Sequence, residues 1–120
     1  MSADPPISTT AINGTSTLVF ALDVRNIGLV TLQVQNLDPS QTFSGFLWRK
    51  VAGGLDYSAS TMPDFSSISP AGAVDGQGNP LDSVTADIDV EGSAELVFVG
   101  LMSGAGGDIS WSVRKAGPKR

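Results

Sequence analysis

Cysteine and histidine are both absent from this chain. Without cysteine there are no disulfides, thiolate metal sites, thiol nucleophiles or thiol redox chemistry. Without histidine the commonest general base, the usual zinc ligand and every Ser-His nucleophilic arrangement are excluded as well. Long apolar runs are missing too: none approaches the roughly 20 residues that a membrane-spanning helix needs. The opening MSADPPISTT has neither the basic nor the apolar region of a secretory signal, so none is expected there. Positive charge is scarce: seven Lys and Arg face twelve Asp and Glu, and Arg114, Lys115, Lys119 and Arg120 supply four of the seven. Residues 1–113 thus carry three positive charges against twelve negative ones. So acidic a body disfavours nucleic acid and anionic membranes as partners.

What the chain does have is alternation. Two strand-turn-strand units stand about 65 residues apart: Leu22-Asp23-Val24-Arg25, Asn26-Ile27-Gly28, Leu29 to Val34, and Ile88-Asp89-Val90-Glu91, Gly92-Ser93-Ala94, Glu95 to Val99. Apolar residues alternate into a polar turn and out again, the pattern of a half-buried β-hairpin. Alternation puts Leu18, Phe20, Leu22 and Val24 on one strand face and Val19, Ala21, Asp23 and Arg25 on the other. Further strands are predicted over 42–51, 57–62, 83–90, 94–102 and 108–114, and no helix of ten residues. The Pro- and Gly-rich stretch from Pro63 to Asp82 reads as a long loop, with Phe65 and Ile68 pinning it to the core. Seven or so strands at this spacing predict an all-β fold: a single antiparallel β-sandwich, jelly-roll-like, over residues 16–114. Residues 1–15 read as a flexible, extended N-terminal arm and 115–120 as a basic C-terminal tail. At 120 residues the chain is one domain, large enough for a core without covalent staples.

Candidate chemistry is thin. Asp87, Asp89 and Glu91 share one strand face and could gather at a hard cation, with Asp75-Gly76-Gln77-Gly78-Asn79 as nearby oxygen donors. The calcium-loop pattern breaks, however, because Pro80 stands at the turn glycine and Ala86 at the bidentate glutamate. A solvated acidic strand face accounts for these residues, and neither metal nor cofactor is expected. Carboxylate pairs such as Asp87 and Asp89, or Asp56 and Asp64, meet the count for glycoside hydrolysis, but no motif singles one out among twelve acids. The chain therefore reads as a non-enzyme. Trp48, Tyr57 and Trp111, with Gln33, Gln35 and Asp56, could build a sugar-stacking platform, although a tryptophan on an alternating strand belongs more often to the core. Ser103-Gly104-Ala105-Gly106-Gly107 lacks the lysine and following helix of a phosphate loop and reads as a flexible connection.

Three stretches, LVFALDVRNIGLVTLQVQ, FSGFLWRKVAGGLDYSAS with FSSISPAG, and LVFVGLMSGAGGDISWSVRKA, together resemble the small β-sandwich virion accessory and decoration proteins of tailed bacteriophages, over roughly residues 16–116. The resemblance lies in strands and turns, with no catalytic or ligand motif. It implies a non-enzymatic structural protein on the virion surface, made in the host cytoplasm, that binds and stabilises or decorates the capsid. The implied partners are the major capsid protein or other virion subunits and further copies of the chain, such proteins often being trimers. Attachment would use loops and arms, which selects Pro5, Pro6 and Ile7, Phe65 and Ile68, and Lys119 and Arg120 as partner-binding residues. The other reading is a carbohydrate-binding β-sandwich module for host or surface attachment.

Overall fold

The computed structural model describes residues 7–51, 58–59 and 65–117. Among them are nine strands: β1 (Ser8–Asn13), β2 (Thr17–Asp23), β3 (Leu29–Asn36), β4 (Phe43–Val51), β5 (Ser58–Ala59), β6 (Phe65–Ile68), β7 (Ser83–Asp89), β8 (Ser93–Met102) and β9 (Gly106–Ala116). The first sheet runs β1-β9-β3-β7; the second runs β2-β8-β4-β5, with β6 also on β4, and every pairing is antiparallel. β1 on β9, β2 on β8, β3 on β7 and β4 on β5 and β6 are the rungs of one long hairpin wrapped on itself. The contacts β3·β9 and β4·β8 then seal it into two layers, the jelly-roll way of joining two Greek keys. The all-β antiparallel sandwich expected from alternation is the observed fold.

The two strand-turn-strand units are not hairpins. β2 and β3 lie in different sheets, as do β7 and β8, so Val24–Gly28 and Val90–Gly92 are corners that carry the chain from one layer to the other. Sequence periodicity gives the strands but does not say whether neighbours pair or arch. The corners answer one another. The amide of Ile27 donates to Val24 O and that of Ser93 to Val90 O. Across the pair, Val24 N donates to Ala94 O and Val90 N to Gly28 O. Asn26 (φ 64°) and Gly92 (φ 83°) both take the left-handed conformation that such tight corners require. Every one of these equivalences joins residue n to residue n + 66.

That offset holds through the strands. Leu32 pairs with Ala86 and Val113, and its counterpart Phe98 pairs with Phe20 and Leu47, residues 66 positions before Ala86 and Val113 respectively, the order reversed about a pseudo-twofold. β2-β3-β4 and β7-β8-β9 are thus two copies of one arrangement, β3 and β8 at the two centres. Inward positions match in kind: Val30 and Leu96, Leu32 and Phe98, Phe43 and Ile109 are all buried. Phe98 is the hub, with ring centroids 5.5–6.1 Å from Phe65, Phe20 and Phe43. Gly45 makes room for its ring and Gly100 for that of Phe43, since a Cβ on either glycine would overlap the ring it faces.

Two segments differ from the sequence reading. Ser8–Asn13, expected within the flexible arm, is the outer strand of the first sheet, with Ile12 buried and Trp111 Nε1 donating to Thr10 Oγ1 at 2.9 Å. The described part of the 63–82 loop is strand β6 followed by a tied excursion in which Ser69 N reaches Leu81 O, Leu81 N reaches Ala73 O and Val74 bridges Pro80. Buried Asn36 holds this end of the sandwich, its amide nitrogen donating to the carbonyls of Gln41, Ile68 and Ser69 while Oδ1 accepts from Asp38 N. Gln41 Oε1 in turn accepts from Gly104 N and Gly106 N. The glycine-rich 103–107 connection is therefore clamped: its glycines admit Gln41 and Asp38 at distances a side chain would block.

Candidate functional site

In a strand, successive side chains point to opposite layers, and residues directly opposite one another across a pair share a face. On the second sheet the outward residues of β8 are Glu95, Val97, Val99 and Leu101, and those of β4 are Ser44, Phe46, Trp48 and Lys50. On β2 they are Asp23, Ala21 and, past a bulge, Leu18. The extra residue at Val19 turns Leu18 outward, reversing the alternation expected from sequence, while Val19 packs against the core.

Read across the strands, the outer face has three rows: Leu18-Val99-Phe46, Ala21-Val97-Trp48 and Asp23-Glu95-Lys50. Two rows are wholly apolar, Leu101 extends them, and the third is charged. Leu18, Phe46 and Trp48 are 58%, 45% and 39% exposed. Solitary exposed apolar side chains, such as Leu37 or Val74 here, are ordinary on protein surfaces. A contiguous apolar block across three strands is less ordinary, and blocks of this kind are common at interaction surfaces.

The first sheet supplies an internal control. Val97, Val99 and Leu101 correspond to Thr31, Gln33 and Gln35; Phe46 and Trp48 to Ser112 and Arg114; Ala21 to Asp87. Leu18, opposite Val99, has its counterpart in Thr85, opposite Gln33. At these positions that face is polar, with Thr31 Oγ1 donating to Asp87 Oδ1 at 2.7 Å, whereas the row matching Asp23-Glu95-Lys50 is Asp89-Leu29-Ala116. The architecture tolerates polar residues at these places, so the fold does not require the apolar ones of the second sheet.

At the charged margin Arg25 holds Asp23 through Nε and Nη2, at 3.2 and 2.8 Å. These hydrogen bonds lower the Asp23 carboxyl to about 2. Asp38 is also lowered, foremost by the Ser40 amide, and Asp75 by the Asn79 amide. Asp75 spends its oxygens on Gln77, Asn79 and its own loop, Asp87 accepts from Thr31, and Asp89 accepts from Glu91 N. Among the described residues no three acidic side chains converge on a point that could hold a metal ion.

Of the residues selected for partner binding, Ile7 is 75% exposed beside Gln33, Gln35 and Ser110 at a small cleft on the first sheet's outer face. Phe65 and Ile68 are buried core residues, 1% and 2% exposed, and their burial removes them from any contact surface. Pro5, Pro6, Lys119 and Arg120 lie outside the described residues, as do Tyr57, Asp56 and Asp64. Trp48 and Trp111 do not share a platform. They belong to different sheets, and Trp111 packs inward, its ring centroid 5.0 Å from that of Phe20. Trp48, which alternation alone would assign to a core, is on the outer face. The signal for this surface was in β8, where Leu96-Val97-Phe98-Val99 is apolar at both parities: such a strand needs cover on both sides.

No protein-family model and no curated protein matches the sequence. Among solved structures, the chain is similar to one titled structure of infectious bursal disease virus Gt strain, with a TM-score of 0.42, 11% identity and 94% of this chain covered. A Gx strain structure of the same virus gives 0.44, 12% and 92%. The chain spans 30% and 29% of those two chains. The SPBc2 prophage-derived protein YomS gives 0.39 at 10% identity, with 95% of this chain and 100% of that one covered.

Proposed function

We propose that this chain is a non-enzymatic structural protein of a tailed-phage virion, which joins other protein subunits at the particle surface and there stabilises or decorates the capsid. The observation that carries the reading is the apolar block on the outer face of the second sheet, at positions where the matching sheet is polar. A half-exposed Phe46 and Trp48 flanked by aliphatic residues, with charge at one margin, is the composition of a protein–protein contact: an aromatic centre and a polar rim. The strand-and-turn resemblance to phage virion proteins supplies the biological setting. The jelly roll hosts capsid and lectin domains alike, so fold alone does not choose between them. A sugar platform finds no support in the arrangement of Trp48 and Trp111 on opposite layers.

The test is co-sedimentation of the purified chain with candidate phage capsids, beside a variant carrying Val97→Thr, Val99→Gln and Phe46→Ser. Each replacement is the residue found at the equivalent place in the first sheet, so the fold is expected to accept it. Capsid binding that disappears in the variant supports the reading. Binding that survives unchanged removes the face from the function.

A further inference from the structure

We propose that Asn13 is a site of spontaneous covalent change: its side chain closes onto the backbone nitrogen of Gly14, releases ammonia and leaves aspartate or isoaspartate at the end of β1.

The reaction has three local requirements. An asparagine side chain must be free to turn back on its own main chain, the amide nitrogen that follows must be unspent, and the next residue must not crowd the ring that forms. The chain has four asparagines, and the fold disqualifies three. Asn26 is followed by β-branched Ile27, whose amide donates to Val24 O at 3.0 Å. Asn36 is buried, its carboxamide is spent on the carbonyls of Gln41, Ile68 and Ser69, and the Leu37 amide donates to Asp108 O. Asn79 precedes Pro80, which has no N–H to attack with. Asn13 meets all three conditions. It is exposed, as are Gly14, Thr15 and Ser16. Among the described residues neither its carboxamide nor the Gly14 N–H takes part in a hydrogen bond, and Gly14 has no side chain in the way. The comparable aspartyl pair, Asp75-Gly76, is a poorer target: its carboxylate is ionised at neutral pH and held by Gln77 N, Asn79 N and Asn79 Nδ2.

In the first step the Gly14 nitrogen bonds to Asn13 Cγ. The Cγ–Nδ2 bond breaks, and Nδ2 leaves as ammonia with the proton that the Gly14 nitrogen gives up. Water then opens the resulting succinimide. Addition at Cγ gives aspartate on an ordinary backbone; addition at the main-chain carbonyl gives isoaspartate, whose chain runs through Cβ. No oxidant or cofactor is needed.

The site has little slack for that second product. Asn13 pairs with Gly106, its N–H donates to Thr17 Oγ1 at 3.1 Å, and Gly14 lies so near the Gly104 carbonyl that a Cβ there would overlap it. Isoaspartate lengthens the main chain by a carbon between these two anchors. Because β1 is an edge strand with Ile12 its one buried residue, the change should loosen its pairing with β9.

The test is prolonged incubation of the full, folded chain in mildly alkaline buffer, beside a synthetic peptide of residues 11–17. Trypsin then frees residues 1–25, which hold Asn13 and no other asparagine or glutamine, and residues 26–49, which hold Asn26 and Asn36. Mass spectrometry should find the amide-to-acid mass gain in 1–25 at a rate near that of the synthetic peptide, with Asn26 and Asn36 unconverted over the same period. An isoaspartyl methyltransferase should label the aged chain and not an Asn13→Gln variant. Hydrogen exchange over 8–13 should be faster in the isoaspartyl chain, whereas Asn13→Asp, with its ordinary backbone, should keep it slow. A 1–25 fragment still intact after the synthetic peptide has been converted overturns the assignment, as does conversion that falls first at Asn26 or Asn36. Exchange in β1 that stays slow in the isoaspartyl chain overturns the loosening of the strand.

Discussion

The two sheets are equivalent inside and opposite outside. Their inner faces carry apolar residues at matching positions, with Leu32 answering Phe98 and Val30 answering Leu96, because both line one core. Their outer faces share the same backbone frame, yet one holds Thr31, Gln33, Ser112 and Arg114 where the other holds Val97, Val99, Phe46 and Trp48. Stability demands the likeness of the inner faces and leaves the outer ones free. On the proposed reading, the difference between them serves association. Among the described residues, Asp87 and Asp75 take part in local hydrogen bonds and Trp111 is packed inward.

The comparison can be broken at its shared part first. Phe98→Ala and Leu32→Ala both empty the common core, and should lower unfolding free energy by about 3–5 and 2–5 kcal/mol respectively in denaturant titrations. If only one of them is costly, the two sheets do not contribute equivalently to the interior. A smaller loss, about 1–3 kcal/mol, is expected for Asn36→Ala, which strips the buried carbonyl of Ile68 and the half-buried ones of Gln41 and Ser69 of their donor. Its counterpart is the buried Met102, so this is a place where the halves diverge inside, and the loss should concentrate at the 36–42, 68–82 and 103–106 end in hydrogen exchange.

The outer faces come next. Thr31→Val, Gln33→Val and Ser112→Phe, made together, copy the apolar face onto the first sheet. Thermal melting should shift little, whereas more of the variant than of the unchanged chain should co-sediment with capsids, because it then has two docking faces instead of one. Unchanged co-sedimentation would mean that apolarity alone does not make such a face.

The smallest effect is that of pH. The carboxyls of Asp23, Asp38 and Asp75 lie below their ordinary value of 3.8 in the folded chain. Groups lowered by folding contribute stability above their unfolded value and lose it as pH falls through the folded one. The melting temperature should therefore hold down to about pH 4 and decline below it, towards about 2 in the case of Asp23. In Asp38→Asn the decline should be shallower.

Much of the architecture was legible because alternation survives wherever one strand face is buried. Six of the predicted strands, from the one at Leu18 to the one at Trp111, stand close to where periodicity put them. β1 was not legible: in Ser8–Asn13 only Ile12 enters the core, and the strand is held by pairing with β9. β6 was hidden by its brevity and by the bulged pairing to β4, where Ser67 adopts φ 58°. The arches look like hairpins in the sequence because a corner between layers and a turn within one layer share the same local pattern. The docking face was half legible, since Phe46 and Trp48 fall on one side with Ser44 and Lys50. Only the pairing register brings Leu18, Val97 and Val99 beside them, and only the bulge at Val19 turns Leu18 out.

Hydroxyl-radical footprinting of the chain, first free and then bound to particles, tests the central claim most directly. The account predicts that Leu18, Phe46 and Trp48 become protected on assembly, while Leu37 and Val74, equally exposed but elsewhere on the surface, stay reactive. Assembly that leaves Phe46 and Trp48 reactive, and protects Ile7 or Val74 instead, would contradict it.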